Sequence, residues 1–252
     1  MTERLSIQDW IHFIGIEEQN VIKNVANFGE DFFLVEKLDI LFRKCLELKP
    51  IDRPELKIPA FLFLNSHREF YLGVTSYLRL HESKSFCSLR SALDSAFTAY
   101  YLLKHPEKIK IYLSTVSEEP GKEWKSIFLN IKETIRKDIK NFPHALKLPE
   151  MHEFCSIYSH SDALGIMSRY KIDKEKLMLV ADYFDYEVGL KDCKKWLGPF
   201  LLGFFKIFLI FWNEMFEKRA ESELQEIQQK IQTYENELLI FIKKYPIKGI
   251  SV

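Results

Sequence analysis

The sequence predicts a mainly α protein, built as a single-domain multi-helix bundle with a long C-terminal helix. Large apolar residues recur at intervals of three and four along most of the 252 residues, which is the period of amphipathic helices. Only 9 glycines and 9 prolines are present to interrupt these patterns. The hydrophobic content of 47% is enough for one sizeable core, and no linker-like segment divides the chain.

The patterns divide this single domain, residues 1–252, into three regions. We interpret residues 1–58 as N-terminal helices, 59–217 as the core bundle and 218–246 as an amphipathic C-terminal helix. Prolines or short polar stretches separate most of the helical patterns, which is where helices are expected to end.

In the N-terminal region the spacing predicts a short helix at 6–14, stopped by Gly15, and a second that ends at Gly29. A longer helix follows at 31–48. The residues that we expect to face the core from the first two helices are Ile7, Trp10, Ile11, Ile14, Val21, Ile22, Val25 and Phe28.

Two helices form the expected centre of the core bundle, one at 59–80 and one at 86–103. The second is apolar on nearly every face and carries one bulky and one small-residue stripe, so we expect it to be packed on both sides. Because only a short loop joins the two helices, they should pack antiparallel. Gly73 lies inside the first helix and indicates a close approach of another backbone, for which the small stripe is a candidate.

Arg90 and Asp94 are the charged residues of the central helix, and they share a face because they are four residues apart. Two readings stay open, a surface ion pair or a buried polar cluster in which the guanidinium must be paired. Asn65 and Glu69 lie on one stripe of the neighbouring helix and are candidate binding residues. Glu69 is also a candidate partner for Arg90.

The segment after Pro149 is the second place where chemistry is suggested. A short helix is predicted there, followed by the polar run Ser-His-Ser-Asp at 159–162. His160, with Arg90 and Asp94, makes up the candidate catalytic set, because a histidine between hydroxyls and a carboxylate can exchange a proton near neutrality. Tyr158 and Asp162 are candidate binding residues. A structural hydrogen-bonding role for His160 is the alternative.

Two later segments are ambiguous. Residues 165–188 fit a helix, which we favour, but two strands of a hairpin around 173–176 fit as well. The run at 196–212 is the most apolar of the chain, and its 17 residues are at the short limit for a membrane-spanning helix. Lys206 lies near its middle, where a charge disfavours insertion, so we expect a buried helix of the bundle rather than a membrane span.

The final helix carries apolar residues at heptad-like spacing from Leu224 to Tyr245. Such a stripe either lies back on the bundle or pairs with another subunit. Because the chain has no net charge to keep copies apart, we expect a homodimer through this helix.

Charge and composition limit the function classes. Lysine plus arginine and aspartate plus glutamate each number 36, so nothing in the overall charge indicates a dedicated nucleic-acid binder. The four cysteines are far apart and form no Cys-x-x-Cys motif, and we expect no metal and no cofactor. Nucleotide-phosphate loops of the Gly-rich kinds do not occur. The N-terminus has no signal-peptide pattern, so we expect a cytoplasmic protein.

One resemblance rests on LRSALDSAFTAYYLLKHP at 89–106 and YSHSD at 158–162. This pair resembles helical bacterial proteins that are grouped loosely with the HEPN superfamily of nucleotide-binding proteins and RNases, some of which act in toxin–antitoxin and phage-defence systems. The resemblance places Arg90 at the family arginine, Asp94 at a position where glutamate is more usual, and His160 at the late histidine. It implies a nucleotide or RNA ligand. The Arg-x(4–6)-His motif of HEPN RNases does not occur in this sequence.

Two functions from different classes follow. In one, an enzyme or nucleotide-binding protein uses an internal cluster in which Arg90 holds a phosphate or carboxylate and His160 exchanges a proton. In the other, which we favour, the polar cluster specifies helix packing and the protein is an interaction or scaffold module. Membrane association through 196–212 is a third hypothesis.

Overall fold

A computed structural model describes most of the chain. The described residues are 7–48, 53–114, 130–131, 133–135, 137–138, 147–159, 170–173, 178–181, 190–216 and 222–247. Its α-helices are α1 (Ile7–Phe28), α2 (Phe33–Glu47), α3 (Lys57–Leu78), α4 (Glu82–Lys104), α5 (Ile109–Ser114), α6 (Leu148–Ser159), α7 (Leu190–Phe211) and α8 (Ser222–Lys244). Two short strands, β1 (Tyr170–Asp173) and β2 (Met178–Ala181), lie between α6 and α7.

The protein is a mainly α helical bundle, as the sequence predicts. α1, α2, α3, α4, α6, α7 and α8 contribute to one hydrophobic core. α4 lies near the centre of this core, with α3, α6 and α7 packed against it. From 86 to 103 the only exposed residue is Asp94, which agrees with a helix that is packed on more than one side.

α1 differs from the prediction in two ways. It continues without a break through Gly15, because an isolated glycine weakens a helix by only about 1 kcal/mol and the flanking apolar residues favour its continuation. Val21, Val25 and Phe28 pack on the core as expected. The remaining apolar residues were expected to face inward, and for four of them this is wrong: Trp10, Ile11, Ile14 and Ile22 are 50 to 71% exposed.

α3 and α4 pack antiparallel, and Gly73 is one of the points of closest approach. A Cβ atom added to Gly73 would lie 3.4 Å from Cβ of Ser88, a member of the small-residue stripe of α4. It would also lie 2.8 Å from Cζ of Phe200 on α7. Gly73 therefore accommodates α4, as the sequence suggests, and an aromatic ring of a third helix, which sequence spacing does not reveal.

α7 contains the apolar run that raised the question of a membrane. The segment Lys194–Phe216 is long and apolar enough to cross a membrane, and 72% of its most apolar window is buried inside the protein. No residue from 194 to 216 is exposed. A π-helical turn, Trp212–Phe216, follows α7 directly. The packing is that of a central helix of the bundle.

α8 lies back on the bundle, against α2 and α7. The heptad stripe is buried within the chain itself: Leu224, Ile227, Ile231, Tyr234, Leu238 and Phe241. A dimer that uses this stripe would have to displace α8 from its own bundle. An ion pair of 2.6 Å between Lys37 on α2 and Glu237 on α8 lies on the outer side of this packing.

Residues 170–173 and 178–181 are paired β-strands, so the helix that we favoured there is wrong for both segments. β1 and β2 are antiparallel, with Tyr170 opposite Ala181 and Asp173 opposite Met178. Two strands around 173–176 were the alternative prediction, and residues 174–177 themselves lie outside the described residues. β-Branched and aromatic residues at short spacing favour strands, although runs of four residues fit a helix as well.

Candidate functional site

The candidate site residues of the central helix lie where α4 meets α6. Asp94 on α4 contacts His152 on α6. Phe86, about two turns before Asp94, contacts Phe154, which comes after His152. The two helices therefore run antiparallel. The Phe86 and Phe154 rings meet edge to face, with centroids 5.3 Å apart. The short helix of the His160 segment is therefore brought against the helix of Arg90 and Asp94, as a shared site would require.

Asp94 pairs with a histidine, not with Arg90. The distance from Asp94 Oδ1 to His152 Nε2 is 2.8 Å. The His152 side chain is only 9% exposed, whereas the Asp94 carboxylate is 56% exposed. Among the described residues no ion pair joins Arg90 to Asp94, and the partner of this carboxylate is His152 on the facing helix. The pair thus has a buried imidazole and a carboxylate that water can reach.

Arg90 is half-buried and lies one turn from Asp94 on the same face. Its charge lies near the thiol of Cys155 on α6. Burial, with a smaller contribution from Cys87, raises the pKa of Cys155 to about 12, and Arg90 offsets only part of this rise. The Cys155 thiol is therefore protonated at neutral pH and is not an activated nucleophile.

The candidate residues of α3 lie level with Arg90 and Asp94. Asn65 Nδ2 donates a hydrogen bond of 2.9 Å to Ser95 Oγ, one turn of α3 before Glu69. Gly73 meets Ser88 one turn after it. Glu69 is half-buried between these two contacts. Asn65 has a structural contact between helices, and no ion pair joins the Glu69 and Arg90 side chains, both of which the structure describes.

The other candidate residues fall at or beyond the limit of the described chain. Tyr158 belongs to the last turn of α6, and its side chain lies outside the described residues. His160 and Asp162 follow that helix and also lie outside them. The proposed meeting of His160 with Arg90 therefore stays a prediction.

Comparison with known proteins gives this site no relative. No family model, no curated protein and no solved structure matches the chain. In the part of the chain that the structure describes, no group of three histidine, cysteine, aspartate or glutamate side chains is arranged to hold a metal ion.

A second histidine–carboxylate cluster, which the sequence analysis missed, joins α2 to α3. Asp39 Oδ1 lies 2.7 Å from His67 Nε2 and accepts a hydrogen bond of 2.7 Å from the Tyr71 hydroxyl. Arg43 Nε lies 2.9 Å from Asp39 Oδ2. The hydrogen bond to Asp39 is the main reason that the pKa of Tyr71 is raised. The His67 ring stacks on Phe42 at 5.0 Å.

Two further polar contacts join elements of the bundle that are distant in sequence. His81 Nε2 contacts Glu17 Oε1, which ties α1 to the turn between α3 and α4. Asp31 lies between Lys194 Nζ at 2.6 Å and the Tyr245 hydroxyl at 3.2 Å. Burial would raise the pKa of Asp31, but the hydrogen bond and charge of Lys194, with help from Lys244 and Tyr245, lower it overall.

The histidine–carboxylate pairs could not be found from spacing, because each joins residues on different elements. Their partners are 28, 58 and 64 positions apart in sequence. The available signal was the presence of His67, His81 and His152 on or beside otherwise apolar stripes, where a buried imidazole needs a partner. That signal does not say which carboxylate supplies it.

A groove of about 430 Å³ lies at the C-terminal end of α8. Its lining is mainly apolar and includes Pro199, Leu239 and Tyr245, with Lys243 as the charged member. None of the candidate site residues that the structure describes lines it. The groove could take an apolar ligand, and its described polar groups are the Lys243 ammonium and the Tyr245 hydroxyl, which is bonded to Asp31.

Few of the described polar groups could bind a ligand or transfer a proton. Both carboxylate oxygens of Asp39 already have partners within its own cluster. Among the described histidine–carboxylate contacts that join distant parts of the sequence, Asp94–His152 is the one whose carboxylate is more than half exposed. This pair could contact a ligand or transfer a proton, with Arg90 nearby to attract an anion.

Proposed function

We propose that this protein is a helical interaction module, which acts by presenting an apolar helix face to a partner. The observation that carries this proposal is the outer face of α1. Trp10, Ile11, Ile14 and Ile22 are 50 to 71% exposed, whereas Val21, Val25 and Phe28 of the same helix pack on the core.

The size of this face supports the same proposal. Its four large side chains expose on the order of 500 Å² of apolar surface, which is as large as the largest patch on a typical monomeric protein. Patches of this size usually mark a surface that binds something. The charged clusters built on Asp39 and Asp31 agree with this proposal, because their contacts hold helices together, which is a structural role.

The test places a photo-crosslinking amino acid on this face. The crosslinker replaces Ile14 in the chain as it is made in its own cells, and in a matched control it replaces Gln19, an exposed residue on the polar side of α1. We expect a discrete crosslinked product from position 14 and none from position 19. Equal labelling at both positions, or none at position 14, would contradict an interaction face on α1.

A second function is favoured by one observation, the exposed carboxylate of Asp94 beside buried His152 and near Arg90. We propose as the alternative that this face binds a nucleotide or RNA, which is what the resemblance to the HEPN superfamily implies. The anion would be held by Arg90, and the Asp94–His152 pair would move a proton.

Thermal melts with and without nucleotides and short RNAs test this alternative. A ligand-induced rise in melting temperature that disappears in Arg90→Ala, but persists in Lys84→Ala, would support it, since Lys84 is an exposed cation of the same helix. The absence of a shift in the unmodified protein would reject ligand binding by the panel and leave the interaction module as the proposed function.

A further inference from the structure

The outer face of α1 has a counterpart on α3. On α1 the exposed stripe consists of Ile11, Ile14, Glu18 and Ile22. On α3 an exposed stripe consists of Phe61, Leu64, Arg68 and Leu72. Both stripes have steps of three, four and four residues, so each follows one face of its helix for about 16 Å.

The two stripes are complementary in charge as well as in spacing. The third position is acidic on α1, where it is Glu18, and basic on α3, where it is Arg68. All other positions are large and apolar. Both charged side chains are exposed, and within the described part of the chain neither takes part in an ion pair.

From this match we infer that the partner of α1 is a second copy of this chain, and that α1 of one copy packs in parallel along α3 of the other. This inference rests on the proposed function. In parallel register Ile11 meets Phe61, Ile14 meets Leu64 and Ile22 meets Leu72. Glu18 then lies beside Arg68 of the second copy, with apolar contacts on either side that exclude water.

The area agrees with a stable dimer. Two-fold symmetry makes the contact twice, since each copy offers both an α1 stripe and an α3 stripe. The exposed apolar parts of the two stripes, counted over both contacts, come to roughly 1,500 Å², which lies within the usual range of specific interfaces. Lysine plus arginine and aspartate plus glutamate each number 36, so long-range repulsion between copies is small.

A lipid surface fits the α1 stripe less well. Helices that lie on membranes usually carry several lysines or arginines on their polar face. Lys23 is the single lysine or arginine of α1, and Glu18 lies within the apolar stripe, where it would be buried among lipid chains. A basic residue at the facing position, which Arg68 supplies, removes this difficulty.

Charge reversal tests the inference. Light scattering on the unmodified protein should give twice the chain mass. Glu18→Arg and Arg68→Glu should each give the mass of a single chain, because each places like charges face to face in both contacts. The double variant should return to the mass of the dimer. Lys23→Glu, which changes an exposed charge on the polar side of α1, should remain a dimer.

An equimolar mixture of the two single variants is the most selective measurement. In one contact the arginine introduced at position 18 meets the glutamate introduced at position 68, and in the other contact both residues are unchanged. The mixture should therefore form a dimer although neither component does. Because both residues are exposed, the melting temperature of the single chains should change little. A monomeric unmodified protein, single variants that stay dimeric, or a mixture that stays monomeric would each overturn the inference.

The inference and the proposed function can fail separately. If position 14 is crosslinked to a protein other than this chain while the unmodified protein is monomeric, the second copy is rejected and the interaction module stands. If position 14 gives no product and the protein is monomeric, both are rejected.

Discussion

At the scale of single residues, the bundle satisfies small buried polar groups locally. Ser66, Ser85, Ser95 and Thr98 each donate a hydrogen bond of 2.7 to 3.0 Å to the carbonyl four residues earlier in the chain. A hydroxyl that is satisfied in this way adds little volume and needs no partner on the next helix. On α4, Ser85, Ser95 and Thr98 can therefore be buried with their hydroxyls satisfied.

Tyr234 is the contrasting case. Its side chain is fully buried between α8 and α7, with its ring 5.0 Å from that of Phe205. Among the described residues its hydroxyl has no hydrogen-bond partner. Burial raises the pKa of this tyrosine far above its ordinary value.

Tyr234→Phe should therefore stabilise the protein by about 1 kcal/mol, because it removes a buried hydroxyl that gains nothing from folding. Tyr100→Phe is the matched control: the Tyr100 hydroxyl donates a hydrogen bond of 3.1 Å to Asp138, so its removal should lower the free energy of unfolding by a similar amount. Urea unfolding monitored by circular dichroism measures both. A loss of stability in Tyr234→Phe would indicate that this hydroxyl has a partner after all.

At the scale of helices, glycines set the distances between elements. Gly73 allows Phe200 of α7 to approach α3, and Gly203 allows Leu89 and Met151 to approach α7, since an added Cβ would lie within 3.0 Å of these side chains. Gly15 on α1 has no atom within 4 Å of such a position. The same residue type thus permits close packing at two places and has no packing role at the third.

Two glycine substitutions should therefore have opposite effects. Gly15→Ala should stabilise the protein by about 0.5–1 kcal/mol, because alanine favours the helix and the space is open. Gly73→Ala should destabilise it by about 1–3 kcal/mol, since the new methyl group would meet the fully buried Phe200 ring. Thermal melts of the two variants give the comparison. A stabilised Gly73→Ala would mean that α7 can move away at little cost.

At the scale of the whole molecule, the packing of α7 bears on whether the protein lies in water or in a membrane. Its apolar length alone fits a membrane, yet α2, α4 and α8 pack around it, and no residue from 194 to 216 is exposed. Burial and the charge of Lys147 lower the pKa of Lys206, while Glu150 on α6 and Glu235 on α8 oppose part of that change. Lys206 is thus half-buried near the charges of neighbouring helices.

We therefore predict that the protein is recovered in the soluble fraction without detergent. The test is fractionation of the cells that make it, followed by washing of the membrane pellet with high salt and with alkaline buffer. Recovery only in a pellet that resists both washes would contradict this prediction and would favour membrane association through 196–212.

The fold class and the positions of most helices could be predicted from the amino-acid sequence. The period of three and four residues shows on which side of a helix the apolar residues lie, which is a local property. It was enough to predict where α3, α4, α7 and α8 lie in the sequence. It also indicated that α4 is covered on more than one side. For 170–181 the short runs fitted both a helix and a hairpin, because a few residues do not separate the two periods.

Which surfaces and which charges meet could be learned only from the packing of the helices. Spacing placed Arg90 next to Asp94, but the histidine that occupies Asp94 lies 58 residues further on. The heptad stripe of α8 was compatible with a dimer, and the bundle buries it instead. The stripe of α1 was assigned to the core, and it lies outside. Each of these outcomes depends on the spatial arrangement of several helices, whereas a periodic pattern describes one helix and not what covers it.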